Sequence, residues 1–228
     1  MSHQTLAAID ALIAERHILK HPFYRAWQDG TLAPEALRSY AAQYYHHVRA
    51  FPTYLSALHA GCDDLETRQA LLRNLRDEEE GPENHPALWL RFAAAVGCAP
   101  GEAEGALPEP ETARAIARFR DAVRSGSLAR GLAALYAYES MTPAVAAEKI
   151  RGLVEHYGVT GTPGTDYFEV HATLDCVHAA ELRALLAACV DETTTESAAA
   201  EVGAASALDA VHELLDGICR VHGIARAA

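Results

Sequence analysis

The sequence predicts an all-helical fold, and three observations carry that prediction. No segment sustains the alternation of apolar and polar residues that a half-buried strand requires. No hairpin turn signal joins two runs of β-branched residues. In segment after segment, apolar residues instead recur at steps of three and four, as in Leu6, Ile9, Leu12 and Ile13.

That first stripe gives an amphipathic helix ending near Lys20. His21-Pro22 opens a short helix from Pro22 to Gln28, closed by Asp29-Gly30. Ala33-Pro34 starts a long helix through Tyr40, Tyr44, His47 and Phe51, with a bend expected at Pro52. Helices follow over Leu65 to Glu79 and His85 to Val96, and Cys98 to Pro108 reads as a loop rich in Gly, Pro and Ala. Pro110 marks the next start, with Ile116, Phe119 and Val123 on its inner face. Ser125-Gly126-Ser127 punctuates before a helix from Leu128 to Glu139, and another covers Ala144 to Tyr157. After a turn-rich connection, Gly158 to Thr165, a long helix runs from Asp166 to Val190. Asp191 to Ser197 is polar and fits either a loop or more helix, and Leu208, Val211, Leu214, Leu215 and Ile218 define the last helix.

At 228 residues the chain is long enough for one good-sized core, so a single domain over 1–228 is expected. No apolar run approaches the roughly 20 residues of a membrane span, and the opening Met-Ser-His-Gln-Thr lacks the pattern of a secretory signal. The cysteines at 62, 98, 176, 189 and 219 are scattered, with no Cys-x-x-Cys spacing. That argues against a disulfide framework or zinc knuckle and for a reduced, cytoplasmic setting. A net charge of −12 disfavours nucleic acid as a partner. Of the 19 basic residues only Lys20 and Lys149 are lysines, the type that can shed its proton on burial.

Chemistry is most legible in His171-Ala-Thr-Leu-Asp175-Cys-Val-His178. Positions i, i+4 and i+7 of a helix share one stripe, so His171, Asp175 and His178 point the same way. A His-x3-Asp pair alone reads more readily as a solvated polar face. The third member turns it into a metal half-site, two imidazoles and a carboxylate that suit redox-active iron or manganese better than structural zinc. A two-metal site needs more ligands, and Glu78 with His85, and Glu139, are the candidates. Glu78 lies four residues before Pro82, and Glu139 four before Pro143. A proline crowds the carbonyl four residues back, so a broken helical ladder is expected at both glutamates. Glu139 also sits in an otherwise apolar helix, where a carboxylate needs a metal or an arginine partner.

Read together, Glu78, His85, Glu139 and the His-x3-Asp-x2-His of one helix resemble the diiron signature of the haem-oxygenase-like oxidases. His21-Pro-Phe-Tyr24, Asn84-His-Pro-Ala-Leu-Trp89, Tyr138-Glu-Ser and Leu-Asp-Gly217 are similar to the branch that includes the Chlamydia protein associating with death domains. Its neighbours are the pyrroloquinoline quinone synthase PqqC and the TenA thiaminases. The resemblance covers nearly the whole chain. It implies a haem-oxygenase-like bundle of seven to eight helices with a dimetal site between core helices. It also implies two metal ions, Fe/Fe or Mn/Fe, that react with dioxygen and draw on an external electron donor, in a chain expected to be a homodimer. The activity implied is formation of p-aminobenzoate for folate biosynthesis, with the protein's own tyrosine as ring source. Carried onto this sequence, the sacrificed residue is Tyr24, the nitrogen donor Lys149, and a second redox-active tyrosine Tyr40. Three other readings stay open: a diiron oxidase acting on an external small molecule, a metal-free PqqC/TenA-like enzyme, and a non-catalytic binding module. A thiaminase needs a cysteine nucleophile, and Cys176 lies about 100° from Asp175, off the ligand stripe.

Overall fold

The computed structural model describes residues 2–190 and 195–225, and every element among them is helical. In chain order these are α1 (Ser2–Glu15), a 3₁₀ turn (Ile18–Lys20), α2 (Pro22–Gln28), α3 (Pro34–Ala60), α4 (Leu65–Glu79) and α5 (His85–Ala95). Then follow α6 (Pro100–Gly105), α7 (Pro110–Val123), α8 (Leu128–Glu139), α9 (Thr142–His156), α10 (Asp166–Cys189) and α11 (Thr195–His222).

Two differences from the sequence reading have simple causes. The stretch expected as a loop contains α6, for which Pro100 supplies a preset helical φ at the start. The first helix stops at Glu15, and the 3₁₀ turn ending at Lys20 is a separate element. Pro52 lies within α3, which continues past it to Ala60. Of the polar stretch 191–197, residues 191–194 fall outside the described ones, and helix resumes at Thr195.

The arrangement is organised around α8. Every residue of it from Ala129 to Glu139 except Arg130 is buried, and four of these are alanines and one a glycine. Small side chains let neighbouring helices close on it, and α11, α10 and α7 all do. Aromatic residues fill the space beyond: Trp27, Trp89, Tyr24, Tyr40, Phe23, Phe92 and Phe168 are all fully enclosed. Gly152 on α9 is one of the points of closest approach. A Cβ there would lie 2.3 Å from Nε1 of Trp27, so glycine is what lets α2 seat against α9. The turn after α2 needs Gly30 as well, at φ +64°.

Both glutamate-bearing helices end where the prolines predict. α4 stops at Glu79, Glu80 is extended, and Gly81 takes φ +81° before Pro82. The chain reverses there, and Asn84 starts α5 by accepting a hydrogen bond from the N–H of Ala87 at 3.0 Å. His85 is thereby the first residue of α5. α8 stops at Glu139, where the ladder tightens to a three-residue step from Met141 N–H to Tyr138 C=O at 3.2 Å.

Candidate metal centre

Reversal of the chain between α4 and α5 brings His85 back to Glu78, with Nδ1 2.8 Å from Oε2. From α10, His171 lays its ring 4.3 Å from that of His85. Ligand atoms of Glu78, His85 and His171 all lie within 4.8 Å of one another, and all three residues are buried. The Tyr167 carbonyl can only accept, so Nδ1 of His171, 2.6 Å from it, carries the proton and leaves Nε2 as the lone-pair nitrogen.

Glu139, Asp175 and His178 stand beside this group without belonging to its tight cluster. His178 Nδ1 is 3.6 Å from Asp175 Oδ1, and its Nε2 is 3.0 Å from Asp77 Oδ2. Glu139 Oε1 accepts a hydrogen bond from Asn74 Nδ2 at 2.9 Å, so an amide and not an arginine partners it. Burial first, and then the charge of Asp175, push the Glu139 carboxyl well above the usual range. For His178, burial opposes the charged ring, but Asp175, Glu139 and Asp77 together outweigh it and push it up to about 9. Burial works the same way against His85, and Glu78 outweighs it, whereas His171 is lowered by burial.

The donor set fits a pair of ions. Glu139 Oε2 and His178 Nδ1 are buried with no hydrogen-bond partner among the described residues. Leaving such atoms unpaired is costly, and a cation between them satisfies both at once. Carboxylates mixed with imidazoles and no thiolate suit iron or manganese. Cys176 is exposed, with its Sγ turned to the backbone of Ala172, as its angle on α10 requires.

Lys149 of α9 is buried and points inward, among aromatic rings. Its Nζ is hydrogen-bonded to the Tyr40 hydroxyl. The rings of Tyr40 and Tyr44 are 5.0 Å from it, Tyr24 5.7 Å, Trp89 5.4 Å and Phe168 4.9 Å. Among the described residues it forms no ion pair, and the neighbouring Glu148 pairs with Arg151 instead. Burial alone holds the amine well below its usual pKa. Tyr24 and Tyr40 are fully buried, and both phenols are pushed well up, by burial above all. A cavity of about 10 Å³ touches both Lys149 and His171, with Tyr44, Tyr138 and Tyr167 in its wall.

Residues 38–212 match the family described as iron-containing redox enzyme. The chain belongs to that family. It is 46% identical over 186 residues to a 4-aminobenzoate synthase of Chlamydia muridarum, covering 82% of this chain and 79% of that one. A 4-aminobenzoate synthase of Nitrosomonas europaea is 43% identical over 221 residues, covering 92% and 89%. In fold, this iron-containing redox enzyme is similar to a TenA homologue of Pseudomonas syringae pv. tomato, with a TM-score of 0.82 at 20% identity over 96% and 93% of the two chains. The all-helical, haem-oxygenase-like architecture expected from the sequence is thus the observed one. No described helix is long and apolar enough to cross a membrane.

Sequence reading had not singled out Asn74 and Asp77, which touch Glu139 and His178 from α4. A signal existed for the first. Asn74 lies one turn before Glu78, on the same stripe.

Proposed function

We propose that this chain forms p-aminobenzoate, taking the ring from its own Tyr24 and the nitrogen from Lys149. The observation that carries this reading is the placement of Lys149. A buried amine kept neutral by its surroundings has a free lone pair, and here it is surrounded by phenol rings with no carboxylate to capture it. The activity named for the relatives requires an aromatic ring and an amine, and the Tyr24 ring lies 5.7 Å from the Lys149 amine.

In this reading Glu78, His85 and His171 hold one ion, and Glu139, Asp175 and His178 hold the second. Two irons there, or an iron and a manganese, would supply one-electron redox chemistry with dioxygen, using electrons from an external donor. The protein's own part is to place and to exclude. Tyr40 holds the Lys149 amine by its hydroxyl. Trp89 and Phe168 close over that amine and keep water from protonating it. An external aromatic substrate is the less favoured reading, because about 10 Å³ beside His171 and Lys149 is room for roughly one water. The choice of Tyr24 over Tyr40 and Tyr44 rests on the family resemblance, since all three rings lie at similar distances from Nζ.

Anaerobic loading with iron, then reductant and oxygen, followed by mass spectrometry of protein and small products, tests the reading. The expected result is at most one p-aminobenzoate per chain, with matching mass loss at Tyr24, and neither in Tyr24→Phe. Undiminished product from Tyr24→Phe would discard the sacrificial assignment, and many turnovers per chain would point to an external substrate.

A further inference from the structure

We infer that Asn74 and Asp77, on the turn of α4 that precedes Glu78, are positioning residues that choose which atoms of Glu139 and His178 face the second ion. This rests on the six-ligand reading above and adds two residues to it.

Asn74 Nδ2 can only donate, so the Glu139 Oε1 it meets at 2.9 Å is occupied as an acceptor. The other oxygen, Oε2, is left buried with no partner. Asp77 Oδ2 accepts from His178 Nε2 at 3.0 Å, which keeps a proton on that nitrogen and so makes Nδ1 the one an ion can take. The other nitrogen, Nδ1, is buried 3.6 Å from Asp175 Oδ1, with no hydrogen bond among the described residues. One helix therefore reaches two others and leaves on each a single orphaned atom of ligand type, a carboxylate oxygen on α8 and an imidazole nitrogen on α10.

The two imidazoles of α10 are set in opposite senses. His171 gives Nδ1–H to the Tyr167 carbonyl of its own helix and keeps Nε2 for an ion. His178 gives Nε2–H to Asp77 and keeps Nδ1. A hydrogen bond to the non-ligating nitrogen of a metal-bound histidine fixes both tautomer and ring angle. Without it, the His178 ring is free to turn Nε2 inward, and its lone pair then meets the ion at a different angle. The competing account is a plain ion pair, in which Asp77 does no more than neutralise a charged His178 at the protein surface.

The test uses the full chain, labelled with ¹⁵N at histidine and loaded with Zn(II) alone, which is redox-inert and diamagnetic. Long-range ¹H–¹⁵N spectra are expected to show His178 bound through Nδ1 with Nε2 protonated, and His171 the other way round. Titration should give two Zn(II) per wild-type chain. In Asp77→Ala, affinity for the second ion should fall about 10- to 100-fold with the first unchanged. Asp77→Asn, which keeps an acceptor oxygen, should recover most of that loss. Because the Asp77 side chain is 45% exposed, the alanine variant should unfold at the wild-type temperature. Zn(II) on His178 Nε2, or two ions held by Asp77→Ala as tightly as by wild type, overturns the inference. If wild type takes fewer than two ions, or Glu139→Gln leaves both in place, the six-ligand reading itself fails.

Discussion

Around Glu78, His85 and His171, a buried charge meets an opposite charge, whereas around Lys149 it would meet only aromatic rings. The two regions share a wall: Trp89 packs its ring 4.8 Å from Tyr167 on one side and 5.7 Å from Tyr40 on the other. Yet they move protons in opposite directions. On the ligand side, Asp175, Glu139 and Asp77 outweigh burial and push His178 up to about 9, holding a proton that a cation would displace. On the amine side, nothing offsets desolvation, and Lys149 is pushed down. Burial has the same sign of cost in both places. What differs between His178 and Lys149 is whether opposite charges are supplied to outweigh it.

The sharpest way to break this comparison is to force a charge into the aromatic side. Arginine cannot shed its proton as lysine does. Lys149→Arg should therefore be destabilised by about 3–5 kcal/mol, the usual cost of an unpaired buried charge. Lys149→Met, similar in volume and uncharged, should fold and bind metal but make no p-aminobenzoate. Urea unfolding of both variants measures the difference, and equal stability of the two would mean the cage tolerates charge after all. The pH dependence carries the same sign. The unfolded lysine binds a proton below about 10.4, and the folded one does so only below its depressed value. Relative to Lys149→Met, wild type thus gains stability as pH rises toward the ordinary lysine pKa and loses it as pH falls to the folded one.

How much of this was legible beforehand divides along the same line. The ligand stripe of α10 follows from helical spacing, and the breaks at Glu78 and Glu139 follow from prolines four residues on. Both are local rules that a sequence states outright. That α5 folds back to bring His85 to Glu78 depends on Gly81 and on the cap at Asn84, signals that are present but leave the angle open. The cage around Lys149 is not written locally at all. It draws Tyr24 from α2, Tyr40 and Tyr44 from α3, Trp89 from α5 and Phe168 from α10. Only the family resemblance pointed there. Asn74 and Asp77 lay hidden for another reason: an asparagine and an acidic run on a polar helix read as solvent-facing until the partner helices are in place.

A second test compares two histidines of nearly equal burial. His178, on the ligand side, is pushed up to about 9. His47, among the rings of Tyr44, Phe51, Phe119 and Tyr138, has no hydrogen-bond partner on either nitrogen among the described residues, and burial pushes it down to about 3. An unfolded histidine takes up its proton near 6.5, so acid favours the unfolded chain as pH falls from there toward 3. Replacing His47 by phenylalanine removes that penalty. In metal-free protein, where the other titrations cancel between variants, His47→Phe should gain about 2 kcal/mol on wild type between pH 7 and pH 5. Parallel denaturation curves at the two pH values would put His47 in a different environment from the one described.

The smallest effect lies on the wall between the regions. Tyr44 and Tyr138 meet hydroxyl to hydroxyl at 3.0 Å, both buried, and among the described residues no other side chain is hydrogen-bonded to either oxygen. Removing one hydroxyl strands the other, so Tyr138→Phe and Tyr44→Phe should each cost about 1–2 kcal/mol. Removing both strands nothing. The double variant should therefore cost less than the sum of the singles, with a coupling of about 1 kcal/mol in a thermodynamic cycle. Strict additivity would mean that each hydroxyl has another partner, a water or a ligand-side carboxylate, and that the wall is wetter than its packing implies. A measured coupling would mean the reverse. The two phenols then pair because the ligand side has committed its carboxylates and the amine side has none to offer.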